Sequence, residues 1–260
     1  MELLRMSDIQ LAPDFGKLIS HVKDFLFICN IYITVDIKNY KNFYKGTPAY
    51  VIASGSSTLK QNLSVLRDRL TIGVNQSYLV TEKYNFHPTF MCLSDNKLYR
   101  NIKKRYTSLD SKIVFAKGID NKIGLDYEGS NLVHIVDYIN KPFAWEGNFS
   151  YNLEKHIYRS NGVVTDLGLP LPMYMGCNPI YIFGCDCDRS GYAYSRKKDK
   201  GTGQRINKQT FVVYDLIEEE AKKRGIKIYN AGIGGSLTSF ERIDLPEIEY
   251  IPNGLPKMFL

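Results

Sequence analysis

The residues of this chain best suited to chemistry come in short polar clusters, each placed directly after an apolar run. Ser54-Gly55-Ser56-Ser57-Thr58 offers backbone amides at a glycine turn and a following helix N-terminus, a combination that attracts a phosphate; it also fits an ordinary N-capped helix. Gly73-Val74-Asn75-Gln76-Ser77 places an amide that donates and accepts, suited to a base, ribose or sugar hydroxyl, at a strand end. Ser94-Asp95-Asn96 carries a carboxylate that could take a proton from a hydroxyl or cap the next helix. Arg159-Ser160-Asn161-Gly162 sets short polar side chains beside glycine. Gly184-Cys185-Asp186-Cys187-Asp188 contains a DxD pair, which could hold a divalent cation on a diphosphate or bond a nucleotide without metal. Asn230 to Leu237 (NAGIGGSL) brings three glycines for close backbone approach.

The elements that must position these clusters follow from periodicity. Ala49–Ala53, Leu70–Val74, Thr89–Leu93, Lys112–Ala116, Leu132–Val136, Ile180–Phe183 and Ile226–Tyr229 are short apolar runs of the kind that form strands covered on both faces. Helical spacing falls between them: Leu59, Leu63, Leu66 and Leu70 after Thr58, then Lys97–Arg105, then Phe211–Arg224, which ends on basic residues and Gly225. This alternation predicts an α/β, Rossmann-like, mostly parallel sheet with helices on both faces. Clusters that terminate neighbouring parallel strands share one edge, so they are expected to line one crevice.

Two regions stand outside the alternation. Residues 1–46 are expected to form an N-terminal extension, a helix over Asp14–Ile28 followed by a linker over Lys38–Lys45, and residues 47–260 the catalytic domain. Residues 189–209 are rich in Gly, Lys, Arg and Tyr and follow a strand, which fits a basic lid over a phosphorylated ligand or a plain loop.

The totals bound the partners. With 260 residues, 44% of them hydrophobic, the chain can bury a substantial core. Its net charge of +7 allows attraction to a phosphorylated substrate, an anionic membrane surface or nucleic acid without choosing among them. Five cysteines in irregular spacing, with neither a basic-then-apolar leader nor an 18-residue apolar run, predict a soluble protein in a reducing compartment. Cys185 and Cys187 fit small buried side chains better than metal ligands. The aromatic N-terminal section is a candidate contact for homo-oligomers.

The order YVIASGSSTLK, IGVNQSY, FMCLSDNKLY, SNGVV, IYIFGCDCD, IKIYNAGIGGSL resembles a superfamily with two branches: lipooligosaccharide sialyltransferases of variant GT-A fold, and proteins similar to 6-hydroxymethylpterin diphosphokinase (MptE-like). The resemblance runs over about residues 43 to 240. In the first branch it implies CMP-donor contacts at Gly55, Ser56, Ser57, Asn75, Ser94, Ser160, Asn161, Gly162, Gly184 and Asp186, and phosphate contacts at lid residues Tyr192 and Tyr194. That branch uses a lid histidine as general base, and this chain has only His21, His87, His134 and His156. Asp95 is therefore the first candidate for the base and His156 the second.

The resemblance implies an inverting glycosyltransferase that moves an acidic sugar from a CMP-activated donor to a surface glycan or glycolipid, with no required cofactor, in the cytoplasm or at the inner face of the membrane. The alternative is a Mg-dependent diphosphokinase-like ATP transferase with the metal at Asp186 and Asp188. A nucleic-acid-binding module ranks last, because the polar clusters point to a small-ligand crevice and no nucleic-acid motif is present.

Overall fold

The apolar runs assemble into one sheet. The computed structural model describes residues 36–118, 122–160, 162–188, 191–194 and 208–244, all within one compact unit, Val35–Leu255. The strands are β1 Ala49–Ile52, β2 Thr71–Val74, β3 Phe90–Leu93, β4 Lys112–Lys117, β5 Leu132–Ile139, β6 Ile157–Tyr158, β7 Ile180–Phe183, β8 Ile228–Asn230 and β9 Glu241–Arg242. Their order is β6-β5-β4-β3-β2-β1-β7-β8-β9, and every neighbouring pair is parallel. The fold is Rossmann-like α/β, as the alternation predicted. The helices are α1 Tyr78–Thr81, α2 Asn96–Thr107, α3 Pro170–Tyr174 and α4 Lys208–Lys223.

Period-two side-chain alternation divides the core. Ala49 and Val51 of β1 face a cluster that includes Leu171 and Met173 of α3 and Val213, Tyr214 and Ile217 of α4. Tyr50 and Ile52 face the opposite side, with Leu63, Leu66, Tyr181 and Phe183. Next to these, Met91, Leu93, Ile113 and Phe115 pack under Tyr99, Ile102 and Tyr106 of α2. Helical elements thus cover both faces, which explains why the central strands read as unbroken apolar runs.

Three local differences from the sequence reading have physical causes. The helix expected from Thr58 is two 3-10 turns, Ser56–Lys60 and Leu63–Leu66. Gln61 between them is extended, its side chain buried and donating to Ala231 O at 2.7 Å, and Asn62 caps the second turn by accepting from Ser64 N–H. Leu59, assigned to the apolar stripe, is 53% exposed. The stretch read as a linker carries buried Tyr40 and Tyr44; the amides of Asn42 and Tyr44 donate to the carbonyls of Tyr174 and Met175 at the end of α3. Finally, β6 and β9 have two residues each, too short to leave an apolar run. The expected helix Asp14–Ile28, residue Asn161 and most of the lid lie outside the described residues. Among the described residues, no helix is long and apolar enough to cross a membrane.

Phe115 is fully buried on β4, its ring edge-on to Tyr99 at 5.3 Å and to Tyr127 at 5.1 Å. Phe115→Ala is expected to lower unfolding free energy by about 3–5 kcal/mol in urea titration, with the slope unchanged. A loss below about 1 kcal/mol would contradict this packing.

Candidate functional site at the carboxyl edge

The chain builds β1 to β6 outward in one direction, then returns to place β7 on the other side of β1. The topological switch point is therefore the β1/β7 seam, where open α/β sheets form a ligand crevice. The ladder continues past the strands: Ala53 N–H donates to Phe183 O and Gly55 N–H to Gly184 O, both at 2.8 Å. A Cβ on Gly55 would lie 2.3 Å from Gly184 O, so only glycine fits there. Gly184 turns away with φ +64°, a conformation glycine adopts without strain.

Asp186 is 4% exposed. Its carboxylate accepts from Ser57 N–H at 2.9 Å and from the Ser57 hydroxyl. This corrects the expectation that the Ser54–Thr58 turn offers amides to a phosphate. Gly55 N–H is on Gly184 O, Ser56 N–H on Gly191 O, Ser57 N–H on Asp186, and Thr58 N–H on Gly55 O. The protein's own carboxylate fills the anion position, and the turn forms the crevice floor. The late glycine loop closes behind it: Ser236 N–H donates to Asp186 O at 2.6 Å, and Gly235 at φ +78° has no room for a Cβ against that carbonyl.

The segment that carries Tyr192 and Tyr194 is bonded to the edge of this floor. Tyr192 bridges Gly55 in antiparallel fashion, Ala193 N–H donates to Ser54 O, and the rings of Tyr192 and Tyr194 stack 5.3 Å apart, 6° from parallel. On the inner side of the turn, the Cys185 thiol lies 2.7 Å from the Tyr214 hydroxyl and 3.9 Å from the Cys187 sulfur. Its interaction with Cys187 and its burial push the Cys185 thiol up.

A second group lies at the carboxyl ends of β2, β3 and β6. Asn75 is left-handed at φ +52°. Its amide donates to Cys92 O at 2.9 Å and its carbonyl accepts from the Tyr106 hydroxyl at 2.5 Å, while its buried Oδ1 has no partner in the protein. Ser94 and Ser160 are joined through Asp166, which the sequence reading missed. Asp166 Oδ2 accepts from the Ser94 hydroxyl at 2.8 Å. Its Oδ1 accepts from Ser160 N–H at 2.9 Å and the Ser160 hydroxyl at 2.6 Å. Asp166 sits in a π-helical turn, Val164–Gly168, closed by Leu169 N–H on Val164 O. It is 3% exposed, and burial raises its carboxyl pKa against the opposing pull of the serine donors and Arg159. A signal for it existed: between Arg159 and Asp186 it is the lone charged residue in an apolar stretch, and such a residue is rarely buried without a designed set of partners.

The remaining candidates separate. Asp95 lies at the edge, with Oδ1 accepting from Leu98 N–H at 2.9 Å as the cap of α2. Gly162 O receives the Thr165 hydroxyl. His156 lies on the amino side of β6, its ring edge-on to Tyr158, and the structure does not bring it to the carboxyl-edge clusters. With the Asp186 carboxylate bound to Ser57, the DxD pair Asp186 and Asp188 does not present two free carboxylates.

A Rossmann-like sheet whose polar turns lie along its carboxyl edge, with one group at the switch point, is the class defined here. By sequence the chain belongs to the MptE-like family, described as 6-hydroxymethylpterin diphosphokinase MptE-like, which matches residues 26–191. Among solved structures, the MAf glycosyltransferase from Magnetospirillum magneticum AMB-1 is similar with a TM-score of 0.52 and 15% identity, over 87% of this chain and 42% of that one. The chain thus spans less than half the length of that protein. The sialyltransferase CST-II, in complex with trisaccharide acceptor and CMP, gives a TM-score of 0.43 and 16% identity, over 74% of this chain and 84% of that one. No curated protein matches the chain in sequence.

The Asp166 environment has a pH consequence. Its folded pKa is raised, so the folded state holds the proton more tightly than the unfolded chain, and ionisation costs stability as pH rises through the window above the ordinary carboxylate value. Asp166→Asn has no such cost, so its stability relative to the parent is expected to improve between pH 4 and 7 in parallel thermal melts. A constant difference across that range would contradict the buried-carboxylate account.

Proposed function

We propose that this chain is a glycosyltransferase that holds a CMP-activated acidic sugar across the carboxyl ends of β1, β2 and β3 and transfers it, with inversion, to a hydroxyl of a glycan or glycolipid. The observation that carries this reading is Asn75: a buried amide oxygen with no protein partner, beside the switch point, on a backbone fixed by Tyr106. A lone acceptor at that place calls for an N–H or O–H donor on the ligand, and a cytosine amine or a ribose hydroxyl supplies one. The fold is one that a glycosyltransferase uses, which supports the class without fixing the sugar.

In this reading each residue has a physical task. Ser57, Gly55, Gly184 and Asp186 make a rigid floor, so little reorganisation accompanies reaction. Tyr192 and Tyr194 stand at its edge, where their hydroxyls meet the phosphate that departs with the nucleoside. Asp95 takes the proton of the attacking hydroxyl; the Leu98 N–H on Oδ1 orients its carboxylate at the helix N-terminus. No metal is required, because donors from the chain meet the leaving charge.

The second reading, an ATP-dependent diphosphokinase with Mg²⁺, is favoured by the description of the family. It stands second because Asp186 is committed to Ser57. Thermal shifts with CMP, CDP, UDP, GDP and ATP, each with and without Mg²⁺, separate the two. Cytidine nucleotides are expected to stabilise without metal, and stabilisation by ATP with Mg²⁺ alone would reverse the ranking. Asn75→Gly, which tolerates the positive φ, is expected to weaken CMP binding about 10-fold or more, as loss of a buried hydrogen bond implies; unchanged affinity would remove Asn75 from the site.

Asp95→Asn tests the base separately. Asn caps a helix as well as Asp does, so melting temperature and CMP binding are expected to stay while turnover drops by about 10²–10⁴-fold. Full activity in that variant would end the assignment.

A further inference from the structure

On the side of β1 away from Asn75, a cavity of about 530 Å³ opens at the same carboxyl edge. Its walls are Lys60-Gln61-Asn62, the loop Ala231–Gly234 after β8, and Arg242 with its two following residues. Gln61 is 6% exposed. Its Nε2 is spent on Ala231 O, and its Oε1 has no partner in the protein. A buried acceptor in this state takes its donor from an ordered water or from a ligand group that displaces one. Arg242 donates to the carbonyls of Gly232 at 2.9 Å, Gly235 at 3.2 Å and Leu237 at 3.4 Å, which pins the loop and leaves the guanidinium charge in the wall. Lys60 adds a second cation, against the single carboxylate of Asp244.

The cavity shares a wall with the crevice. A Cβ on Gly232 would lie 3.7 Å from Gly184 N and 3.8 Å from Ser57 Oγ. The loop that lines the cavity therefore backs directly onto the crevice floor, and a ligand held in the cavity lies one loop away from a ligand held at the switch point.

We propose that this cavity is the acceptor subsite and that it takes an anionic saccharide: a sugar hydroxyl donates to Gln61 Oε1, and the carboxylate or phosphate of the sugar faces Lys60 and Arg242. The assignment rests on the transferase reading above, since it makes the cavity the place of the second substrate. Its chemistry stands on Gln61, Arg242 and Lys60 alone.

The test is a matched pair of probes, 3′-sialyllactose and lactose, titrated into the full chain by calorimetry, with CMP-induced thermal shift measured in parallel. The charged probe is expected to bind saturably, and lactose about 10-fold more weakly or not at all. Lys60→Glu, at an exposed position, is expected to weaken the charged probe about 10-fold while the CMP shift stays. Equal binding of the two probes, no binding of either, or indifference to Lys60→Glu would each overturn the subsite. Failure of CMP with retained, Lys60-dependent binding of 3′-sialyllactose would sink the transferase reading and leave an anionic-saccharide site. A CMP shift with no saccharide binding would do the reverse.

Discussion

Ser57 and Asp186 are 129 residues apart, yet the amide and hydroxyl of one hold the carboxylate of the other at the seam of β1 and β7. The contact exists because these strands are parallel neighbours whose ladder runs on through Ala53–Phe183 and Gly55–Gly184. A carboxylate taken from water needs charge-assisted partners, and Ser57 supplies two. In return the carboxylate satisfies an amide at the start of the Ser56–Lys60 turn. The same aspartate receives Ser236 through its backbone carbonyl, so three connections that follow β1, β7 and β8 are tied at one residue. Everything proposed for the site depends on this floor being fixed before a ligand arrives.

To either side of the floor the polar groups are of different kinds. Toward β2 and β3 they are an unpartnered amide oxygen on Asn75 and a satisfied network of Asp166 with Ser94 and Ser160. Toward β8 and β9 they are the Gln61 oxygen and two cationic side chains around an open cavity. The first arm suits a ligand with hydrogen-bond donors and little charge, such as a nucleoside. The second suits a hydroxylated anion. A transferase needs two such places within one loop of each other, since its advantage over solution lies in holding both reactants in reacting geometry.

Much of this was legible in the amino-acid sequence because it depends on strand ends. The seven apolar runs read as strands all became strands, and parallel alignment then places Gly55, Asn75, Ser94, Ser160 and Gly184 at one edge. What was not legible depends on contacts across the sheet. The Gly55–Thr58 amides look free in sequence, and only the position of β7 beside β1 shows that Asp186 and Gly184 occupy two of them. The leucines after Thr58 carry helical spacing, but the backbone breaks at Gln61 because its side chain is needed under Ala231. Asp166 belongs to no motif; its importance lies in bonds to serines 72 and 6 residues away. The two-residue strands β6 and β9 are recruited by their neighbours rather than by their own pattern.

The central claim is that one ligand closes on residues brought together from separate strand ends. Hydrogen-exchange mass spectrometry of the full chain, with and without saturating CMP, addresses it directly. Slower exchange is predicted in peptides covering 54–58, 75–77, 94–96, 160–166 and 184–188 together, with the outer turns of α4 unchanged. Protection confined to one of these segments, or centred away from the carboxyl edge, would contradict the account.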